Sequence, residues 1–199
     1  MPEALYSLIL FAVVATATPG GATTLATASG AQFGLRRSIP LLLGIAFGLA
    51  LLAATAASGL AALLQTLPIL EFAMKLAGSS YLLWLAYKIG GAGAPRMNDG
   101  EDPAPIGFRT GILLLLLNPK GWAMALGAAA SFAALASSAL ALALIMAMTF
   151  GIAAITSLSL WCVGGAILAR KLRTERQWRL VNILLGTLLA ASILPIWIN

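Results

Sequence analysis

Long stretches without a single charged residue restrict this chain to folding inside a membrane. Residues 50–64 and 135–169 contain no Asp, Glu, Lys or Arg. Hydrophobic residues make up 61% of the 199 positions, whereas soluble domains are about 45 to 50% apolar. A water-soluble fold needs charged side chains distributed over its surface. These stretches supply none, so lipid is the solvent that suits them.

Six segments are long and apolar enough to cross a bilayer, whose hydrocarbon core is about 30 Å thick and takes roughly 20 apolar residues per helix. The predicted spans are residues 5–31, 40–64, 69–89, 108–130, 139–169 and 178–198. We therefore predict an all-α membrane protein with six transmembrane helices, in which residues 1–199 form a single transmembrane domain.

The scarcity of reactive side chains excludes several kinds of chemistry. The chain has no histidine and a single cysteine, Cys162, which rules out a disulfide framework, a CxxC redox pair and a His-based metal or catalytic site. It also lacks the GxxxxGK[ST] motif of nucleotide-binding loops. We accordingly predict no metal, no cofactor and no enzymatic activity.

The basic residues predict how the helices are oriented. The net charge is +6, but ten of the twelve Lys and Arg lie in three connections between spans or within two residues of one, so the charge indicates topology and not a nucleic-acid partner. These residues are Arg36 and Arg37 at the first connection, Lys88, Arg96 and Arg109 at the third, and Arg170, Lys171, Arg173, Arg176 and Arg179 at the fifth. The positive-inside rule places these connections in the cytoplasm and both termini in the periplasm.

The third connection divides the chain into two halves of three spans each. Residues 90–107 are rich in Gly, Pro and acidic residues, a composition typical of a linker. Because three is an odd number, the second half (108–199) enters the membrane from the side opposite to the first half (1–89). The two halves are therefore predicted to form an inverted repeat, a plan that many secondary transporters share.

Each half carries a proline motif near the middle of its first span. The motifs are Thr18-Pro19-Gly20-Gly21 and Asn118-Pro119-Lys120-Gly121. A proline inside a helix removes a backbone hydrogen bond and costs about 3 kcal/mol, and in lipid such a break is tolerated only where it faces protein or a water-filled cavity. Two breaks meeting near the midplane would aim half-helix N-termini at one site, which favours a carboxylate. The alternative is that each proline only kinks its helix for packing.

Five segments, in order along nearly the whole chain, form a distinctive set: ATPGG (17–21), GLRRS (34–38), GIAFG (44–48), KLAGSSYLLWLAYK (75–88) and FRTGILLLLLNPKGW (108–122). They resemble the lysine-exporter family (LysE/RhtB). The resemblance implies a transporter of the bacterial inner membrane that exports amino acids or similar metabolites and is driven by the proton gradient. One departure leaves the substrate open, because the family usually has a second proline, often followed by Asn, where this chain has Gly21 and Ala22.

The candidate substrate-binding or gating residues lie mainly in the two proline motifs. They are Thr18, Pro19, Gly20, Gly21, Lys75, Tyr81, Asn118, Pro119 and Lys120. A charge near the middle of a span costs about 2.5 to 3.5 kcal/mol, so Lys120 is expected to bind substrate. The alternative is that Lys120 pairs with backbone carbonyls freed by the break. Thr18 and Asn118 either contact substrate or cap the broken helices.

Two further candidates lie on the third span, where each has a structural alternative. Lys75 either contacts substrate or extends to the outer headgroups, where it would pair with Glu71 one turn earlier. Tyr81 belongs to the motif that resembles the family, but an aromatic at this depth also suits helix packing.

The sequence leaves other functions open alongside export of a small molecule coupled to protons. A metal-cation exporter would need ligands, and the spans offer no histidine and one cysteine. A Ser-Lys dyad using Lys120 would make the chain an intramembrane enzyme. A membrane assembly protein would explain the hydrophobicity but not the paired breaks. The expected partners are a small-molecule substrate, protons and membrane lipids, with a possible homo-oligomer through the GxxxG face of Gly44 and Gly48.

Reporter fusions test the predicted topology. Fusions after Arg37, Asn98 and Thr174 should report the cytoplasm, and fusions near Pro68, Ser137 and the C-terminus should report the periplasm, because basic connections stay inside. The measurement pairs a reporter that fluoresces only in the cytoplasm with an enzyme active only in the periplasm. A cytoplasmic C-terminus would show that the number of spans is wrong.

Overall fold

The computed structural model describes residues 2–59, 68–91, 105–191 and 193–194, and the regular structure within them is all helical. The α-helices are α1 (Pro2–Ala17), α2 (Gly21–Ala57), α3 (Pro68–Gly90), α4 (Phe108–Leu116), α5 (Pro119–Ser131), α6 (Ala139–Lys171) and α7 (Glu175–Ala191), with a short 3-10 helix at Ala133–Leu135. The predicted all-α class is confirmed. Most of the predicted linker 90–107 and the ends of the second and sixth predicted spans lie outside the described residues.

The helix α2 folds back on itself at Gly34. This residue has φ 72° and ψ 171°, a conformation that is essentially restricted to glycine. The hydroxyl oxygens of Ser29 and Ser38 are 2.7 Å apart, although nine residues of straight helix would separate them by about 13.5 Å. The helix therefore consists of two segments, 21–33 and 35–57, and the predicted first connection lies at the turn between them.

Apolar side chains surround α6 on all sides. One side is buried against the rest of the protein, through Leu142, Met146, Phe150, Ala154, Leu158 and Cys162. The opposite side exposes Leu140, Leu144, Met148 and Ile152, each at least 58% exposed. A helix that is hydrophobic all round belongs in a large core or in lipid, and a 20.4 kDa chain has no large core. Its exposed side therefore suits contact with lipid.

The lengths of the helices agree with a membrane protein. Among the described residues, α6 is long and apolar enough to cross a bilayer, and so is α2 through its second segment, 35–57, which follows the turn at Gly34. The pair α4 and α5, which is bent by 66° at its break, passes the same test when taken as one span.

The helices α2 and α6 form the centre of the fold, and glycines let their backbones touch. A Cβ atom added at Gly30 would lie 2.0 Å from the carbonyl oxygen of Cys162, and one added at Gly165 would lie 2.0 Å from that of Thr27. Real side chains cannot occupy either position. Small residues at such crossings replace the hydrophobic driving force that lipid does not supply between helices.

Close contacts between a glycine and a neighbouring backbone also join α2 to α4 and α3 to α7. A Cβ atom at Gly44 would lie 2.1 Å from the carbonyl oxygen of Phe108, and one at Gly111 would lie 2.7 Å from that of Leu41. At Gly186 the corresponding distance to the carbonyl oxygen of Ala86 is 2.7 Å. The GxxxG face that includes Gly44 therefore makes a contact within the protomer.

Both proline motifs interrupt their helices. The first helix ends at Ala17, and α2 begins at Gly21. The fourth helix ends at Leu116, and α5 begins at Pro119. Proline terminates a helix because it lacks the N–H group, and it disfavours the helical conformation of the residue before it.

The adjacent glycines of α6 allow a matched test of the central crossing. We expect Gly165→Ala to destabilise the protein by about 1 to 3 kcal/mol, since the added methyl must push two backbones apart. Gly164→Ala should leave stability unchanged or slightly raised, because a Cβ there meets nothing within 4 Å. Thermal unfolding followed in detergent measures both. Equal melting temperatures for the two variants would show that the crossing does not depend on close backbone contact.

Candidate functional site

The broken end of α1 presents three consecutive carbonyl oxygens to donors from other helices. Helix ends leave such carbonyls without an intrahelical partner. Ser157 donates its hydroxyl to the carbonyl of Thr16 at 2.9 Å, and Trp161 donates its indole N–H to that of Ala17 at 3.2 Å. The ammonium of Lys120 donates to the carbonyl of Thr18 at 2.8 Å. The two proline motifs are therefore joined directly by a charged hydrogen bond.

The start of α5 is a regular capped helix terminus. The side-chain oxygen of Asn118 accepts a hydrogen bond from the backbone N–H of Lys120 at 3.0 Å, and Pro119 is the first residue of the helix. Asn is a favoured capping residue and Pro is favoured at the first helical position. The end of α4 is capped in turn, because the indole N–H of Trp122 donates to the carbonyl of Leu116 at 2.8 Å.

A small cavity lies where the two breaks meet. Its lining combines the end of α1, the first turns of α2 and α5, and apolar residues of α2, α4, α5 and α6: Ala15, Thr16, Thr18, Gly20, Gly21, Ala22, Thr23, Ile45, Leu49, Leu115, Asn118, Lys120, Gly121, Met124, Ala154 and Leu158. Two helix N-termini and one lysine therefore face the same space. Each N-terminus carries about half a positive charge, so an anionic group is the favoured occupant.

The cavity is too small for a metabolite in this conformation. Its volume is about 30 Å³, which leaves room for roughly two water molecules. The stem of Lys120 closes one side, because a Cβ added at Gly20 would lie only 3.3 Å from its Cδ and Nζ atoms. A solute much larger than water therefore fits only if the residues around the cavity move.

The structure brings together most of the predicted site residues. The cavity is lined by Thr18, Gly20, Gly21, Asn118 and Lys120. The hydroxyl of Thr18 donates to the carbonyl of Val14 at 2.6 Å, so Thr18, like Asn118, bonds to its own backbone, and each contributes a capping bond at its break.

Four predicted residues lie elsewhere or beyond the described side chains. Pro19 is exposed and does not line the cavity. Tyr81 lies on α3 with its ring centroid 5.5 Å from that of Trp84, and it does not line the cavity. The side chains of Lys75 and Pro119 fall outside the described part of the chain.

The donors that hold the end of α1 were not predicted from the sequence. Ser157 and Trp161 are four residues apart and therefore lie on the same face of α6. A polar residue and an indole at this spacing in an otherwise apolar helix indicate a face that donates hydrogen bonds. The acceptors could not be predicted, because they are 141 and 144 residues away in the chain. The apolar lining residue Met124 was also missed, because nothing in an apolar span marks one side chain as facing a cavity.

The described residues offer nothing that resembles a metal site. No group of three or more His, Cys, Asp and Glu side chains comes close enough together in them to hold an ion.

Long apolar helices with exposed apolar sides, two helix breaks that meet and a small cavity between the breaks are typical of a multi-pass membrane transporter. The LysE type translocator family matches residues 13–192, and the chain belongs to this family of translocators of the bacterial inner membrane. The predicted resemblance is confirmed, and membership assigns the chain to transporters and not to enzymes.

The similar curated proteins are efflux proteins of about the same length. A cysteine/O-acetylserine efflux protein of Salmonella typhi is 26% identical over 189 residues, which cover 94% of both chains. Its counterpart from Escherichia coli O9:H4 (strain HS) is 28% identical over 194 residues with the same coverage. A leucine efflux protein of Enterobacter sp. (strain 638) is 28% identical over 176 residues, covering 85% of this chain and 83% of its own. No solved structure matches the chain.

Substitution of Asn118 tests whether its side chain acts as a helix cap. We expect Asn118→Ala to destabilise the protein by about 1 kcal/mol, and Asn118→Ser to retain most of the stability because Ser is also a favoured cap. Thermal unfolding in detergent reports both. Equal losses for Ala and Ser would assign the role of Asn118 to contacts other than the cap.

Proposed function

We propose that this protein is a secondary transporter that exports amino acids from the cytoplasm, with the substrate carboxylate bound by Lys120 and the first turns of α2 and α5. The observation that carries this proposal is the shared cavity of two helix N-termini and one intramembrane ammonium. The names of the similar proteins, which describe efflux of cysteine, O-acetylserine and leucine, support the same class of substrate.

The charges around the cavity suit an amino acid at both of its ends. A carboxylate would accept hydrogen bonds from the ammonium of Lys120 and from backbone N–H groups of the first turn of α2. The first turn of α5 contributes only its partial positive charge, because Pro119 has no N–H and the N–H groups of Lys120 and Gly121 already donate to Asn118. The broken end of α1 carries the opposite partial charge, because its carbonyls point toward the site. This end suits the substrate ammonium.

Binding of the carboxylate would release the bond that closes the site. The ammonium of Lys120 is held by the carbonyl of Thr18, and a carboxylate is a stronger acceptor than a neutral carbonyl. Transfer of Lys120 from the carbonyl to the substrate removes the direct link between the two breaks. Opening of the site would thereby be coupled to the presence of substrate.

We also propose the six-span inverted repeat for this chain. In such a repeat, the first, second and third spans correspond to the fourth, fifth and sixth. A contact between the first and fifth spans therefore has its counterpart in a contact between the fourth and second. Both occur as glycine crossings, Gly30 with Cys162 and Gly44 with Phe108, and the third and sixth spans meet at Gly186. We propose that both termini lie in the periplasm, as the basic connections predict, and that the proton gradient supplies the energy, since the sequence has no nucleotide-binding motif.

The central test is Lys120→Met, which removes the ammonium but keeps a long flexible side chain. Efflux from proteoliposomes, per folded molecule, should fall at least about tenfold, because a charge-assisted hydrogen bond contributes about 1.5 to 3 kcal/mol. The matched control is Trp161→Phe, which frees the neighbouring carbonyl of Ala17 without removing a charge.

The control separates transport from stability. Both variants leave one carbonyl of α1 without its donor, so both should lose about 1 to 3 kcal/mol of stability. Only Lys120→Met should lose export. Normal efflux by Lys120→Met at a normal amount of folded protein would remove Lys120 from the binding site.

A further inference from the structure

We infer that the transported amino acid has an uncharged, apolar side chain, and that Met124 sets the size of side chain accepted. This inference rests on the proposed function, because it assumes that Lys120 binds the carboxylate. It concerns the part of the cavity that the carboxylate does not use.

The lining of the cavity separates into a polar and an apolar set. The polar residues come from the two breaks and the first turns that follow them. The apolar set is contributed by four different helices and consists of Ile45, Leu49, Leu115, Met124, Ala154 and Leu158. Among the described lining residues, Lys120 carries the only charge. We refer to the apolar set as the apolar subsite.

The two sets are arranged along one face of α5. Lys120 and Met124 are four residues apart, so they lie on the same side of the helix, with about 6 Å between their positions along its axis. A substrate whose carboxylate is held by Lys120 therefore extends its side chain toward Met124. This order matches an α-amino acid, whose side chain begins one carbon away from the carboxylate.

A charged side chain would find no partner in the apolar subsite. An ammonium or guanidinium placed there would be removed from water without an opposing carboxylate among the described lining residues, and Lys120 would repel it. Burial of an unpaired charge is strongly unfavourable. An anionic side chain would be equally isolated, because the positive groups already hold the main carboxylate.

Met124 is the member of the subsite that is free to change its shape. Ile45, Leu49, Leu115 and Leu158 are at most 3% exposed and are fixed by packing in the core. Met124 is only partly buried, and its unbranched side chain adapts to the volume beside it. Shortening it should therefore enlarge the subsite and disturb the core, against which it also packs, less than shortening one of the four fixed residues would.

A panel of labelled amino acids in proteoliposomes containing the full chain tests the substrate class. We expect counterflow of leucine, valine and methionine, and at least about 100-fold lower rates for lysine, arginine and glutamate. Lysine carried as fast as leucine would overturn the apolar subsite and leave the proposed export function intact. Transport of none of the panel would overturn the proposed function together with this inference.

Variants of Met124 test the size limit. In Met124→Ala, the rate of phenylalanine relative to valine should rise about tenfold, the lower end of the effect of one or more methylenes in an apolar pocket. Met124→Val should raise the same ratio by a smaller factor. If the alanine variant does not fold, the valine variant tests the size limit in its place. The control Met148→Ala changes a side chain that is 62% exposed on α6 and should keep the wild-type ratio. An unchanged ratio in a folded Met124 variant would overturn its role.

Discussion

Every backbone carbonyl inside lipid needs a hydrogen-bond donor, and this requirement organises the structure around the two breaks. Water is absent there, so an unpaired carbonyl costs several kcal/mol. The end of α1 meets the requirement with a serine, a tryptophan and a lysine from two other helices. These three bonds fix the position of α1 against α5 and α6, although most of the surface of α1 remains exposed.

The same requirement explains how a lysine is retained in an apolar span. A buried charge persists when it is paired or bonded to polar backbone, and the carbonyl of Thr18 provides such a partner at 2.8 Å. The bond joins the two breaks, yet its acceptor is a neutral carbonyl that an anion can replace. The structural support of Lys120 and its proposed role in binding substrate therefore depend on one contact.

The predictable parts of this protein are those that depend on local sequence. Proline acts on its own helix, so the breaks at Pro19 and Pro119 and the turn beside Arg36 were accessible from sequence. The crossing of Gly30 with Cys162 was not, because a glycine in an apolar helix does not reveal which helix it meets. Met124 was missed for a similar reason, since an apolar residue facing a cavity looks like one facing lipid. Tyr81, a candidate because of its motif, does not line the cavity and packs against Trp84 on α3, which is the alternative that its depth in the span allowed.

The small volume of the central cavity also determines what the resting protein excludes. Ions and protons cross apolar barriers along continuous chains of water, and a hydrocarbon core about 30 Å thick needs many more water molecules than the two or so that fit here. The cavity of this conformation alone therefore holds no chain of water long enough to conduct ions or protons across such a core.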